Sequence, residues 1–326
     1  MNLNFLAFHF RRGNRADATT MKTTALQLEE FANTVLAVPP LARHADLSIN
    51  VEQNRKLVQH IESGDQRILL YGGNANLYHC GISDYAQMLE MLADAAAQET
   101  RVIPAIGPDF GKMMDQAGLL SGSGYQTAMM LPMQGFTSEQ GVSDGIRRFV
   151  DAARIPITLY LKSESYIDVD RLGGLVDEGL VLVVKYAVVR ADPARDPFLE
   201  RLIDRISARR IVSGMGERPA PVHLTQFGLV SFTTGCGCIA PKACMQLLQA
   251  LQQGDKGSSE ALMAQFMPLE TLRESVSLIR VLHDAVSFCG IADMGAQLPL
   301  LSGSPPEVHA QIKALAQALL AFERSL

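Results

Sequence analysis

Apolar residues fall into short runs along this chain. Between the runs lie longer stretches in which they recur every three or four positions. The runs are VLAV (35–38), ILLY (68–71), VIPAI (102–106), TAMML (127–131), ITLY (157–160), VLVVK (181–185), RIVSG (210–214) and LVSF (229–232). Such continuous, β-branched runs predict strands buried on both faces. SDYAQMLEMLADAAAQ (83–98) and SEQGVSDGIRRFVDAAR (138–154) have helical spacing, the first beginning after a Ser83 cap.

Strands that alternate with helices pair in parallel. Eight such units predict a (β/α)8 TIM barrel over residues 31–245, an α/β fold. An open doubly wound sheet calls for a glycine fingerprint after its first strand, but VLAV is followed by PPLAR. The GSG at Gly122–Gly124 precedes a strand rather than opening a helix. After about residue 240 only helical patterns remain, so residues 246–326 read as a C-terminal helical appendage. Residues 1–30 read as an N-terminal extension, and Met21 is an alternative start.

Composition narrows the function. The chain has 326 residues, 48% hydrophobic, with a net charge of −5. This balance gives no footprint for nucleic acid. The apolar N-terminal run is short and its arginines follow it, which fits neither a secretory signal nor a membrane span. Five cysteines, an odd count, read as reduced cytoplasmic thiols. Cys236, Cys238 and Cys244 lack the spacing of a metal site and are expected to be packing thiols.

One lysine interrupts the apolar pattern. In VLVVKYAVV (181–189) Lys185 ends the sixth predicted strand, on the same face as Val181 and Val183. Active sites of such barrels gather at the C-terminal strand ends. An ammonium buried there without a partner loses its proton readily, and the neutral amine condenses with ketones to form a Schiff base. Tyr160 ends the fifth strand in the matching place, and a phenol shuttles protons. In YGGNANLYH, Gly72 and Gly73 let backbone approach a ligand, and successive amides there suit a carboxylate. His79 on this loop, Glu217 and Arg218 after the seventh strand, and Lys162 and Glu164 after the fifth read first as solvated loop residues.

Together YGGNAN, the LY of ITLY, VVK, and FGLVSFTTG with Ala240-Pro241 resemble the dihydrodipicolinate synthase / N-acetylneuraminate lyase family of class I, Schiff-base aldolases and dehydratases. The resemblance covers nearly the whole chain. It implies a barrel with three C-terminal helices, assembled as a homo-oligomer, a dimer or tetramer. It makes Lys185 the Schiff-base lysine and Tyr160 the proton relay. Gly73 and Asn74, beside Gly72, are then the carboxylate-binding amides, and Ser213, Gly214 and Val230 line the cavity beside the imine. The chemistry implied is that of a cytoplasmic lyase acting on a small-molecule, pyruvate-like 2-keto acid or keto-deoxy sugar acid, with no metal or nucleotide cofactor. A keto-acid-binding protein on the same fold is the alternative.

The departures bear on the substrate. The loop reads Gly72-Gly73-Asn74-Ala75-Asn76, without the family's threonines and glutamate. Gln134 stands where the synthase has a relay tyrosine, and Ser165 where an arginine grips a dicarboxylic substrate. True dihydrodipicolinate synthase activity is therefore not expected.

Overall fold

The computed structural model describes residues 20–326; the part of the expected extension before residue 20 lies outside the described residues. Eight parallel strands close into a barrel in sequence order. They are β1 (Leu36–Ala37), β2 (Ile68–Tyr71), β3 (Arg101–Ile106), β4 (Ala128–Met130), β5 (Ile157–Leu161), β6 (Val181–Tyr186), β7 (Ile211–Ser213) and β8 (Ser231–Thr234). A short helix, α1 (Leu28–Ala32), precedes β1. The outer ring comprises α2 (Val51–Glu62), α3 (Ile82–Ala95), α4 (Phe110–Leu120), α5 (Glu139–Ala153), α6 (Val169–Asp177), α7 (Pro197–Ile206), α8 (Ala220–Thr225) and α9 (Pro241–Gln253), one after each strand. Side-chain caps start many of them: Asn50, Asp109, Ser138, Asp168 and Asp196 each accept from an amide in the first turn.

Because α9 completes the ring, the barrel does not end at residue 245 as expected, which would cut through a helix. The appendage is α10 (Lys256–Val276), α11 (Leu278–Phe288) and α12 (His309–Ser325). No helix among the described residues is long and apolar enough to cross a membrane.

Strand register decides which residues face inward. Tyr160 pairs with Lys185, and Lys185 with Val212. The next residue, Tyr186, turns the other way: its hydroxyl donates to Asp196 at 2.6 Å, and its ring stacks on Phe198 of α7. The alternation of a strand therefore places Lys185 inside the barrel.

The floor is held by a second buried cation. Arg101 opens β3 and is 3% exposed. Its guanidinium donates to Glu30 at 3.0 and 2.8 Å, to the Thr24 side chain and to the carbonyls of Lys22, Thr24 and Ala25. An arginine stripped of water is tolerable only when its donors are satisfied in this way. The backbone amides of Thr20, Met21 and Lys22 also bond to Ala93 and Thr100. From residue 20 onward, then, the supposed extension is part of the barrel floor.

The appendage is tied on by a buried ionic cluster. Glu217, after β7, accepts from Thr234 of β8, while Glu270 of α10 pairs with Arg273 and accepts from the Cys236 thiol at 2.9 Å. Glu217 is fully buried, and one of its oxygens has no hydrogen-bond partner among the described residues. Burial, then the Glu270 charge, pushes its pKa up to about 8 from 4.5. The folded chain thus keeps a proton that the unfolded chain releases, so this group's contribution to stability falls as pH rises from 4.5 to about 8. Glu217→Gln is expected to match wild type near about pH 5 and to exceed it by at least about 1 kcal/mol above about pH 8. Denaturant titrations across that range check this; parallel pH profiles for the two proteins would refute it.

Candidate active site

Lys185 and Tyr160 meet at the top of the barrel. The lysine, 5% exposed, places Nζ 3.9 Å from the centroid of the tyrosine ring. It forms no ion pair with a carboxylate among the described residues. Burial, with a smaller contribution from the charge on Lys162, lowers its pKa to about 7. The aromatic face offers the ammonium partial compensation. Burial raises the pKa of the Tyr160 hydroxyl, and the nearby Tyr78 adds to the shift. At neutral pH the phenol therefore keeps its proton and is available as an acid, while the amine readily gives its proton up.

Gly214 makes room for this pair. A Cβ there would lie 2.7 Å from Cγ of Lys185 and 2.7 Å from the carbonyl oxygen of Tyr186, which accepts from the Gly214 amide at 2.6 Å. Only a residue without a side chain lets β7 approach this closely.

Two other expected lining residues lie elsewhere. Ser213 pairs in register with Tyr186 and shares its outward face. Its hydroxyl is 2.8 Å from Nδ1 of His223 on α8, and both residues are buried. Burial depresses the His223 pKa to about 4, so this is a neutral hydrogen-bonded pair behind the wall. Val230 precedes β8, and its amide bonds to Ile211, the first residue of β7. It therefore sits at the N-terminal end of the barrel, opposite Lys185. The strand begins two residues later than the apolar run LVSF predicts, and the end that reaches the site is Thr233-Thr234.

The loop after β2 is built as a tight cup. A Cβ on Gly72 would lie 2.5 Å from Cε of Met129, so this glycine admits a neighbouring side chain into the barrel. Among the described residues the amides of Gly73 and Asn74 donate no hydrogen bond, which leaves them free for an anion. The Asn74 side chain is engaged, donating to Val38 O at 2.7 Å. Asn76, left-handed at φ 55°, reverses the chain and turns Tyr78 back toward Gly73. From α4, Lys112 Nζ fixes the loop by donating to the carbonyls of Leu77 and Tyr78 at 2.8 and 3.2 Å. Tyr78 lies beside Gly73 and Tyr160, and the sequence reading passed over it; His79, read as a solvated loop residue, is one. The histidine is exposed, whereas burial raises the pKa of Tyr78. No spacing rule marks Tyr78, because the Asn76 turn alone aims it.

The rim carries the remaining polar residues. Gln134 is exposed, and Ser165 is an exposed partner of Ser163 at 2.9 Å. Arg190, beyond β6, binds Glu164 at 2.5 Å and Asp196 at 2.7 Å. Lys162 turns its Nζ back to 5.7 Å from the Tyr160 centroid. Arg218 pairs with Glu274 of α10, away from the lysine. Glu217 is buried rather than solvated.

Donor atoms of Glu217, Cys236 and Glu270 lie within 4.8 Å of one another, a possible metal arrangement. The Arg273 guanidinium, bonded to Glu270 in the same cluster, already supplies the positive charge a cation would bring. The residues present thus fit an ionic cluster better than a metal centre.

No family model and no curated protein matches the sequence. Solved structures share the fold. Dihydrodipicolinate synthase from Bacillus clausii is 19% identical with a TM-score of 0.78, over 91% of this chain and 100% of that one. Ruminococcus gnavus sialic acid aldolase is 14% identical with a TM-score of 0.77, over 90% and 99%. A further structure of that aldolase is of its catalytic lysine mutant. YagE, a prophage protein of the dihydrodipicolinic acid synthase family from E. coli K12 solved with pyruvate, is 16% identical with a TM-score of 0.73, over 88% and 98%. These similarities establish the fold.

The contact between Gly214 and Lys185 is testable. Gly214→Ala is expected to remain folded but to displace the lysine side chain, slowing its reaction with a small carbonyl compound by at least about tenfold. Circular dichroism and mass-mapped reductive trapping measure the two effects; unchanged trapping in the folded variant would show that the strand relaxes around the methyl group.

Proposed function

We propose that this protein is a class I aldolase-type lyase of the dihydrodipicolinate synthase / N-acetylneuraminate lyase family, acting through a Schiff base on pyruvate-like 2-keto acids or keto-deoxy sugar acids. One observation carries the reading: a buried, carboxylate-free lysine at the inner top of β6, against the ring of a tyrosine from β5. A structural role alone would favour a pairing carboxylate, since an isolated buried ammonium is costly. A pKa near 7 suits a nucleophilic amine. Among fold neighbours, one is described with a catalytic lysine and another with pyruvate bound.

In this mechanism the Lys185 amine attacks the keto carbon to give a carbinolamine, which loses water to form the imine. As the hydroxyl on C4 gives up its proton and becomes the carbonyl of a departing aldehyde, the C3–C4 bond breaks and the protonated imine at C2 accepts its electron pair, leaving a C2–C3 enamine that is then protonated at C3. Tyr160 relays the protons these steps require, and the free amides of Gly73 and Asn74 hold the carboxylate of the keto acid. The same imine supports C–C bond formation, or loss of a β-hydroxyl. Arg190 is already engaged by Glu164 and Asp196, Ser165 offers no charge, and Gln134 cannot shuttle a proton. The enzyme is therefore not a true dihydrodipicolinate synthase. A homo-oligomer accompanies this reading through the family resemblance alone, and five unpaired thiols suit the cytoplasm.

Incubation with pyruvate followed by borohydride is expected to give one adduct, on Lys185. Because the amine is protonated below its pKa, trapping should rise up to about pH 7 and then level off. An adduct elsewhere, or a yield still climbing tenfold per unit at about pH 9, as for an ordinary lysine, would overturn the assignment.

Tyr160→Phe keeps the ring that packs on Lys185 and removes only the hydroxyl. It is expected to leave thermal stability within about 1 kcal/mol of wild type and to slow turnover roughly 10²-fold. Kinetics on a cleavable keto-deoxy sugar acid decide this, and a wild-type rate would return Tyr160 to a packing role.

A further inference from the structure

Lys162 stands two residues after Tyr160, immediately past the end of β5, at the rim of the barrel. It is exposed, yet its Nζ does not reach outward. It lies 5.7 Å from the centroid of the same ring that Lys185 approaches to 3.9 Å, so the two nitrogens are less than about 10 Å apart. The field of Lys162 is felt at the buried amine.

The surrounding charges leave this lysine alone. Glu164, the carboxylate next along the chain, is taken by Arg190, and Asp196 binds Arg190 and Tyr186. Lys162 has no ion-pair partner among the described residues. Two ammonium groups over one ring repel each other, and a cation–π contact offsets only part of that. An anion at the mouth would satisfy both the geometry and the charge.

We infer that Lys162 is a specificity-determining residue that binds an anionic group, carboxylate or phosphate, at the far end of the 2-keto acid substrate. The inference rests on the Schiff-base reading above and narrows it. The keto end reacts at Lys185, and the tail passes across the face of Tyr160 to the rim, a distance that a short carbon chain spans. A single ammonium is a point charge and does not impose the two-pronged geometry of an arginine. It also disfavours a tail bearing its own ammonium, as in an amino acid aldehyde.

The test uses borohydride trapping on Lys185 with three probes: pyruvate, which has no tail; 2-oxoglutarate, with an anionic tail; and 2-oxohexanoate, with a neutral one. For an exposed charge at a binding mouth the wild type should prefer 2-oxoglutarate over 2-oxohexanoate by roughly threefold to tenfold in half-saturating concentration. The preference should shrink as salt is raised. Lys162→Gln should abolish it and Lys162→Arg should restore part of it, each variant being scored on the ratio of its two tailed probes to its own pyruvate value, because removing the Lys162 charge also lets the Lys185 pKa rise. No preference in the wild type, or one that survives in Lys162→Gln, would overturn the inference. Failure to trap pyruvate at Lys185 in any of the proteins would instead count against the Schiff-base reading.

Discussion

The structure turns on one desolvated amine. Lys185 could have been neutralised by a carboxylate, and the fold supplies none among the described residues. It supplies an aromatic face, a glycine that lets β7 close in, and a second positive charge at the rim. Each of these either leaves the proton loosely held or keeps water from holding it. The cost in folding free energy is recovered by the rest of the barrel, as strained and unpaired groups at reactive sites require.

The same molecule shows the opposite solution in the two clusters described above. Arg101 at the floor is buried with its donors satisfied, and Arg273 is buried against Glu270 beside Glu217, whose pKa burial raises. All three cations are nearly inaccessible, so burial does not distinguish them. What distinguishes them is pairing: two are fixed as charges and serve architecture, and one is left able to lose its charge.

Much of this was legible in the sequence. Eight apolar runs alternating with helical spacing gave the barrel, since parallel strands buried on both faces leave that signature. The lone lysine in VLVVKYAVV and the tyrosine ending ITLY were visible because each breaks a pattern at the same strand depth, and the register pairs them directly. Failures came where the interior itself is polar. Ser231 and Thr233 face inward on β8, so the apolar run ending at Phe232 marked the wrong end of that strand, and Val230, carried over by position from the family resemblance, falls before its first residue. Ser213 was near enough in sequence but lies on the outward side of β7, a parity that one residue of register decides. Tyr78 was hidden because a left-handed asparagine, rather than any periodicity, aims it.

The packed floor has a consequence for traffic. Among the described residues Arg101 and the segment it binds, Lys22 to Glu30, pack across the N-terminal end, and buried side chains fill the interior above it. A ligand anchored by its keto end at Lys185 could not leave from below. On the proposed Schiff-base reading, a ligand cut in two would release its outer fragment before the anchored one, and in the reverse direction the anchored fragment would arrive first. The sequence of events is then imposed by the anchor and the filled barrel beneath it rather than by relative affinity.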